Sequence, residues 1–530
     1  MIGMFVDYLS ASYLWSIFTP LMLSLLAISA LILEMTVYRR NPRGVGVFCL
    51  LGLAAILFMQ WRLQILELPF GRMNEGLVFM GQYRLDRLGF FFNYLFMTAA
   101  LVTVAFSLFF FQRSRDHRGE YYILVIIATI GMSMMAAAHD LLILFVALEI
   151  MSIAIYAVTG VEQRSLKSGE ASIKYLLLGA FSSAVLLFGM ALIYGMTGDL
   201  SYHVLSEAIY DLRMDSREPG ASQLEFFTLM FGVLLLLSGL LFKVAAVPFH
   251  MWTPDVYEGA PTPISAFMAT GVKVAAFVAL LRLMLHAFSG LWGLDELYSA
   301  LFVIAVLTMT LGNLAAISQR NLKRMLAYSS IAHTGYLLIG IIAIIASTRY
   351  VAFGSDIAMA NAINASSSII FYLVIYTLMN LGAFGVIVVV SREKAGGDEL
   401  DDFSGLASKR PGLAAIMAIL MLSLTGIPPL AGFTAKFFIF KAAIDANLYA
   451  LAVIGVVNSV VSAYYYLRVL VVMYMSPEQK PFAEKSPRFS GAYLANVLMA
   501  AGVVLFGLFP QSLTSLVWRL IDISQILTIK

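Results

Sequence analysis

Five residues stand where the surrounding sequence makes their polarity expensive. Glu149 lies mid-run in LLILFVALEIMSIAIYAV, and Lys243 closes LLLLSGLLFK just before VAAVPFH. Lys273 follows PISAFMATGV, Lys436 follows LTGIPPLAGFTA, and His333 lies in AYSSIAHTGYLLIG. An ionisable group at bilayer depth is costly and marks a functional site by default. Burial penalises the charged form of both carboxyl and ammonium groups, and pairing relieves the penalty. A buried glutamate and lysine on neighbouring helices therefore control each other's protonation, which is the chemistry of a proton carrier. Each residue also has a plainer reading. Glu149 suits a neutral carboxyl bonded between helices, Lys243 a side chain snorkelling to the interface, and His333 a hydrogen-bonded core histidine. Lys273 stands about eleven residues into its helix, near the bilayer centre at about 1.5 Å rise per residue, where snorkelling is hard. A histidine between two sets of lysines is also what a relay needs.

The elements that must hold these groups are membrane helices. The chain has 530 residues, 61% hydrophobic and 12% charged, with mean hydropathy +0.88, whereas soluble proteins carry roughly 25% charged residues. A span needs about 20 apolar residues. The apolar runs predict about fourteen, near 12–35, 45–61, 88–111, 120–138, 141–160, 174–196, 226–247, 262–287, 291–317, 322–346, 366–391, 411–443, 447–475 and 489–518. The N-terminus, MIGMFVDYLSASYLW, lacks a basic leader and a small-residue cleavage site, so the first span is expected to be retained.

Several function classes are excluded. One cysteine, Cys49, rules out disulfides and Cys-ligated iron–sulfur clusters. The six histidines are too scattered for a haem or metal motif, and no phosphate-binding glycine loop is present. A net charge of +3, dispersed between apolar runs, gives no argument for nucleic acid. The acidic run EKAGGDELDDF reads as a solvated surface loop rather than a metal site.

Prolines and basic residues give the organisation. Pro248 interrupts the seventh helix, and Pro428 with Pro429 interrupts the twelfth, five spans later. Proline frees backbone carbonyls, which is tolerated at depth only beside a cavity, water or polar neighbours. Interrupted helices at corresponding places in two halves point to a repeat-built transporter. Lys and Arg concentrate in the odd-numbered connections, except that the one after helix two carries Arg62, Arg72, Arg84 and Arg87, so the positive-inside rule puts the odd connections in the cytoplasm and both termini outside. The seventh connection carries no basic residue and gives no direction. Moving one charge against about 200 mV costs roughly 4.6 kcal/mol. A buried lysine that gains and loses a carboxylate partner can supply a change of that size.

The blocks HDLLILFVALEIMSIAIY, SGEASIKYLLLGAFSSAVLLFGMALIYG, FKVAAVPFHMWTPDVYEGAPTPISAFMATGVK, QRNLKRMLAYSSIAHTGYLLIG and LTGIPPLAGFTAKFFIFKAAI resemble the antiporter-like membrane subunits of respiratory complex I, the NADH-quinone oxidoreductase. The resemblance covers most of helices four to thirteen. The first three helices and the tail match by layout. It implies an all-α polytopic fold of about 14 spans, with two inverted five-helix repeats broken at helices seven and twelve. The segments are then 1–119 (helices one to three), 120–287 (first repeat), 288–475 (second repeat) and 476–530 (helix fourteen and tail). Matched by motif, Glu149 is the helix-five glutamate paired with Lys243 on helix seven. Lys273 is the central lysine of helix eight, Lys436 the helix-twelve lysine near the exit, and His333 a polar residue of the hydrated axis.

Within the family the pattern resembles the N-type. M-type subunits carry a glutamate where Lys436 stands, and L-type subunits continue into a long lateral helix, whereas this chain ends near its fourteenth span. The resemblance implies no cofactor in this chain. NADH, FMN, iron–sulfur clusters and quinone belong to partner subunits, and the expected neighbours are M-type and small K- and J-type membrane subunits in a bacterial inner membrane. A subunit of a multi-subunit sodium/proton antiporter resembles the same fold, and a non-transporting scaffold locked by buried charges is the reading from another class.

Overall fold

The computed structural model describes residues 16–38, 41–65, 77–79, 81–113, 118–216, 223–291, 294–348, 356–393, 397–479 and 491–520. The expectations for both termini and for much of the basic residue pattern (Arg39, Arg40, Arg72, Arg115, Lys394, Lys480, Lys485 and Arg488) lie outside these residues. Among the described residues, thirteen helices are long and apolar enough to cross a membrane, and one further crossing is made by two shorter helices end to end.

The first five spans are Phe18–Thr36, Pro42–Ile65, Arg87–Phe110, Glu120–Ala137 and Leu141–Thr159. The sixth is Leu166–Thr197. It begins well before its apolar run because Ser165 caps it, accepting the Ser168 amide at 3.3 Å. A helix lengthens beyond the lipid wherever polar residues keep a good cap. The seventh is broken into Gln223–Lys243 and Trp252–Gly259, and the eighth is Thr262–Ala287. The ninth to eleventh are Asp295–Ile317, Leu322–Thr348 and Asp356–Glu393. The twelfth is broken into Pro411–Thr425 and Ala431–Asp445, the thirteenth is Tyr449–Met475, and the fourteenth is Gly491–Leu508, with Gln511–Trp518 after Pro510. The two five-span sets, four to eight and nine to thirteen, each break in their fourth member.

Burial follows the layout. The most apolar stretch of the eighth span is wholly buried, and those of the tenth and eleventh are 94% buried, while peripheral spans show one face outward. Two elements escaped the apolar-run reading. A two-residue hairpin pairs Leu77–Val78 with Tyr83–Arg84, and an amphipathic helix runs Tyr202–Asp215. The latter has too few apolar residues to register as a span.

Contacts sort the connections onto two faces. On one, Lys167 pairs with Glu258 at 2.8 Å, Arg324 with Asp255 at 2.6 Å, and Lys409 with Glu478 at 3.3 Å. These residues come from odd-numbered connections or span ends beside them, so the uncharged seventh connection joins that face. The acidic loop lies there too, but it is packed rather than merely solvated. The Leu322 amide donates to Asp398 O at 2.7 Å, the Leu400 amide to Arg320 O at 2.8 Å, and Asp402 is buried. On the other face, Tyr83 bridges Ala138 and Asp140 bridges Ser201.

Candidate functional site

The seventh span stops at Lys243, ahead of Pro248, and Ala245 takes a positive φ of 60°. Two carbonyls and one amide at this break are served by side chains. Trp252 Nε1 donates to Phe242 O at 3.1 Å, and Thr334 Oγ1 donates to Val244 O at 2.6 Å. The Val247 amide finds Thr308 Oγ1 at 3.0 Å. In the twelfth span the break is served differently. Gly426 caps the first half with φ 92°, and Lys436 from the second half reaches back to Leu424 O at 3.0 Å and Thr425 O at 2.9 Å. A lysine thus holds free carbonyls of one break, while at the other a tryptophan holds one and a threonine of the tenth span another.

All four basic groups are deeply buried, with Lys243 at 2%, Lys273 at 1%, His333 at 2% and Lys436 at 5% exposure. Their partners are hydroxyls, carbonyls and rings. Lys243 Nζ donates to Ser152 Oγ and Tyr156 Oη, both at 2.9 Å, and stands 5.3 Å from the Tyr156 ring centre. Glu149 is not in an ion pair with it. Its carboxylate takes a short hydrogen bond from Ser183 of the sixth span. Glu149, Ser152 and Tyr156 lie three and seven residues apart, one face of one helix, so Ser152 stands between the two charges.

Lys273 follows a π-helical turn, Met268–Val272, a geometry found disproportionately at functional sites. Its ammonium donates to Ser330 O at 2.8 Å, to Ser330 Oγ in a shorter bond, and to Thr334 Oγ1 at 3.0 Å. Because Thr334 also serves Val244 O, one hydroxyl joins Lys273 to the residue after Lys243.

His333 shares the tenth span with these two residues. Its Nδ1 lies 2.6 Å from Tyr372 Oη and its Nε2 3.2 Å from Tyr466 Oη, which is bonded in turn to Ser329. Tyr336 carries the line onward. Its ring lies 5.7 Å from that of His333 and 5.3 Å from Lys436 Nζ, within cation–π reach. Lys436 also donates to Ser459 Oγ at 2.9 Å. The structure therefore brings the five sequence-predicted residues into one band, with half-buried Glu149 at one end and the four buried basic groups running on to Lys436 at the other.

The residues that sequence reasoning missed are the neutral partners Ser152, Tyr156, Ser183, Ser330, Thr334, Tyr336, Tyr372, Ser459 and Tyr466. A signal existed for some: Ser152 and Tyr156 share the Glu149 face, and SSIAHTGY is dense in polar groups at helical spacing. Among the described residues no cluster of three His, Cys, Asp or Glu side chains is placed to hold a metal.

Residues 138–462 match the family described as NADH:quinone oxidoreductase/Mrp antiporter, TM. The chain is 45% identical over 427 residues to NADH-quinone oxidoreductase subunit N of Trichlorobacter lovleyi, covering 81% of this chain and 82% of that one. It is 38% identical to subunit N 1 of Koribacter versatilis, covering 94% of each. Among solved structures, a chain of Thermus thermophilus respiratory complex I with bound aureothin superposes with TM-score 0.73 at 34% identity, over 94% of this chain and 98% of that one. A chain of the Mrp complex from Dietzia sp. shares the fold at TM-score 0.74 and 20% identity, over 95% of this chain and 96% of that one. The chain belongs to the NADH:quinone oxidoreductase/Mrp antiporter transmembrane family, among the N-type antiporter-like membrane subunits of respiratory complex I.

Proposed function

We propose that this subunit moves protons along the band Glu149, Lys243, Lys273, His333 and Lys436, driven by electron transfer from NADH to quinone in partner subunits. The observation that carries the reading is the burial of three ammonium groups, each hydrogen-bonded to at least one hydroxyl and none to a carboxylate. Burying a cation without a counter-ion is a large standing cost, which selects for a site that binds and releases a proton. Hydroxyls suit this role because they accept from an ammonium and donate to an amine. Glu149, one turn from Ser152, sets the field at Lys243 when ionised and releases it when protonated. A proton leaving Lys243 passes toward Lys273 beside the Thr334 hydroxyl, and from there by His333 and Tyr336 to Lys436.

In this reading FMN, iron–sulfur clusters and quinone lie in partner subunits. M-type and K- and J-type subunits flank the chain, the odd connections face the cytoplasm of a bacterial cell, and both termini face outward. The segments 120–287 and 288–475 act as two half-channels that meet at Lys273 and the tenth span.

The test is Lys273→Met in the assembled complex, measured as NADH-driven proton uptake in inside-out vesicles. The variant should assemble and lose this subunit's share of the uptake. Uptake at the wild-type proton-to-electron ratio would leave only the scaffold reading. Purification without flavin and iron–sulfur partners, with sodium-dependent transport, would favour the antiporter.

A further inference from the structure

A second buried polar cluster lies on the face of the even-numbered connections and takes no part in the band above. Its centre is Arg282 near the end of the eighth span, 1% exposed, with Asp86 as its counter-ion through Nη2. Asp86 also caps the third span, accepting the Gly89 amide at 2.8 Å. The Nε and Nη1 donors of Arg282 have no partner, nor do Nδ1 of His139 and the hydroxyls of Tyr83 and Tyr202. Tyr83, His139 and Tyr202 all lie within electrostatic reach of the guanidinium. The His139 ring is 5.3 Å from that of Tyr202 and 5.7 Å from that of His286.

The same pattern continues inward. Asn93 is fully buried with neither amide atom bonded, and the Ser133 hydroxyl, on a 1% exposed residue, is unbonded too. Asn93 is one turn from Gly89, and Ser133 is three residues from Ala136. At Gly89 a side chain would meet Ala136 O at 3.1 Å and Arg282 Nη2 at 3.3 Å, so Gly89 keeps this crossing open for the guanidinium. Met132, next to Ser133, packs its sulfur 3.0 Å from where a Gly271 side chain would begin, two residues before Lys273. Along their spans, Asn93 and Ser133 therefore fall between the level of Arg282 and that of Lys273.

A buried donor or acceptor left unbonded costs about 1–3 kcal/mol, and native chains leave few. An apolar filling would remove that cost, yet polar groups recur here on the third, fourth and eighth spans. A buried water needs about two to four polar partners, and the column supplies them along its length.

We infer that Asn93, Ser133, Arg282, Asp86 and His139 line a hydrated branch from Lys273 to the face of the even-numbered connections, by which protons reach that face without passing Lys436. The inference rests on the proton-carrying role proposed for Lys273. In the transfer, the Lys273 ammonium gives one proton to the water column and becomes the amine, and one proton leaves at the Asp86 mouth. The Asp86–Arg282 pair is a fixed dipole that orients the water there. His139 takes a proton on one ring nitrogen while releasing one from the other.

The experiment uses the whole complex in inside-out vesicles, with Asn93→Leu and, separately, Ser133→Val, each close in size to the residue replaced. Hydroxyl-radical labelling read by mass spectrometry reports whether buried side chains touch water. In the wild type Tyr83, Tyr202 and Met132 should be labelled despite their burial. Asn93→Leu should abolish the Met132 labelling and lose part of the proton uptake per NADH that Lys273→Met loses. Unlabelled wild-type residues, or full uptake in either assembled variant while Lys273→Met is defective, would overturn the branch alone. Full uptake in Lys273→Met would overturn the parent reading. Should Asn93→Leu fail to assemble, Ser133→Val and the wild-type labelling decide.

Discussion

The tightest geometric demand in the band falls on Gly426, and Gly426→Ala tests it. Gly426 caps the first half of the twelfth span at φ 92°, its amide donating to Leu422 O at 3.1 Å. A left-handed conformation costs an L-residue roughly 1–2 kcal/mol. An alanine methyl would also lie 3.1 Å from Lys436 Cδ and 3.5 Å from Nζ. The aliphatic stem can yield by a few tenths of an ångström, but the ammonium is tied to Leu424 O, Thr425 O and Ser459 Oγ at 2.9–3.0 Å. Loosening one charge-assisted bond costs about 1.5–3 kcal/mol, a factor of roughly 10–150 in the occupancy of this geometry at about 1.4 kcal/mol per decade. Gly198 supplies the control: it caps the sixth span at φ 75° with nothing within 4 Å of an added methyl. Both variants should assemble somewhat less on native gels, from backbone strain alone. Gly426→Ala alone should lower NADH-driven proton uptake in the complex that does assemble. Equal pumping by the two variants would refute the claim that Lys436 must be held at the break.

Thr334→Val keeps the shape of the side chain but removes one of the three acceptors of Lys273 and the donor to Val244 O. It should destabilise the complex by about 1–3 kcal/mol and slow pumping, and an unchanged melting midpoint with normal uptake would show that the break is held some other way. A pH effect is expected at His139, which lies between spans. Burial, reinforced by the charges of Arg282 and Arg84, lowers its pKa from 6.5 to about 4. The unfolded chain therefore binds a proton between about pH 6.5 and 4 that the folded chain refuses. Stability from this group is fully present above pH 6.5 and is lost as pH falls toward 4, by up to ~3 kcal/mol at 1.36 per unit. The difference in melting midpoint between wild type and His139→Gln, followed from pH 7 to 4, should shrink or reverse as the wild type loses that advantage, and a constant difference would sink the assignment.

The sequence exposed those features whose cost is set locally. A lysine inside a 20-residue apolar run is visible without a fold, as are prolines in two spans five apart, and the structure groups all five named side chains. What it hid depends on distant partners. Arg282 and Asp86 are 196 positions apart, and nothing near Asp86 distinguishes it from a surface acid. Glu149 and Lys243 were expected to pair because opposite charges attract, yet Ser183 and Ser152 intervene, and hydroxyls carry no signal in hydropathy. Boundaries failed where polarity and helicity part company. The eleventh span begins at Asp356, ten residues before its apolar run, because NAINASSS is polar without being helix-breaking. The seventh ends at Lys243 rather than at the proline, since the chain must leave the helix before a residue that disfavours it.

In the proposed pathway the tenth span is the element that joins the two five-span sets. Within eight residues it presents Ser330 and Thr334 to Lys273, the Thr334 hydroxyl to the broken seventh span, His333 to Tyr372 and Tyr466, and the Tyr336 ring to Lys436. Its first turn is anchored on the opposite repeat, with Lys323 Nζ on Glu258 O at 2.7 Å and Ala260 O at 2.6 Å. Its middle is locked to the ninth span, where side chains at Gly312 and Gly335 would meet backbone nitrogens at 2.6 and 2.7 Å. Packed interfaces of this density shift between discrete arrangements rather than deforming smoothly. Val244 cannot move by more than a fraction of an ångström while Thr334 holds it at 2.6 Å. A change in the Lys243 end of the seventh span must therefore either break that bond or carry the tenth span with it. In both cases the Thr334 hydroxyl that accepts from Lys273 is disturbed, which is how the proposed proton transfer at Lys243 would be linked to Lys273.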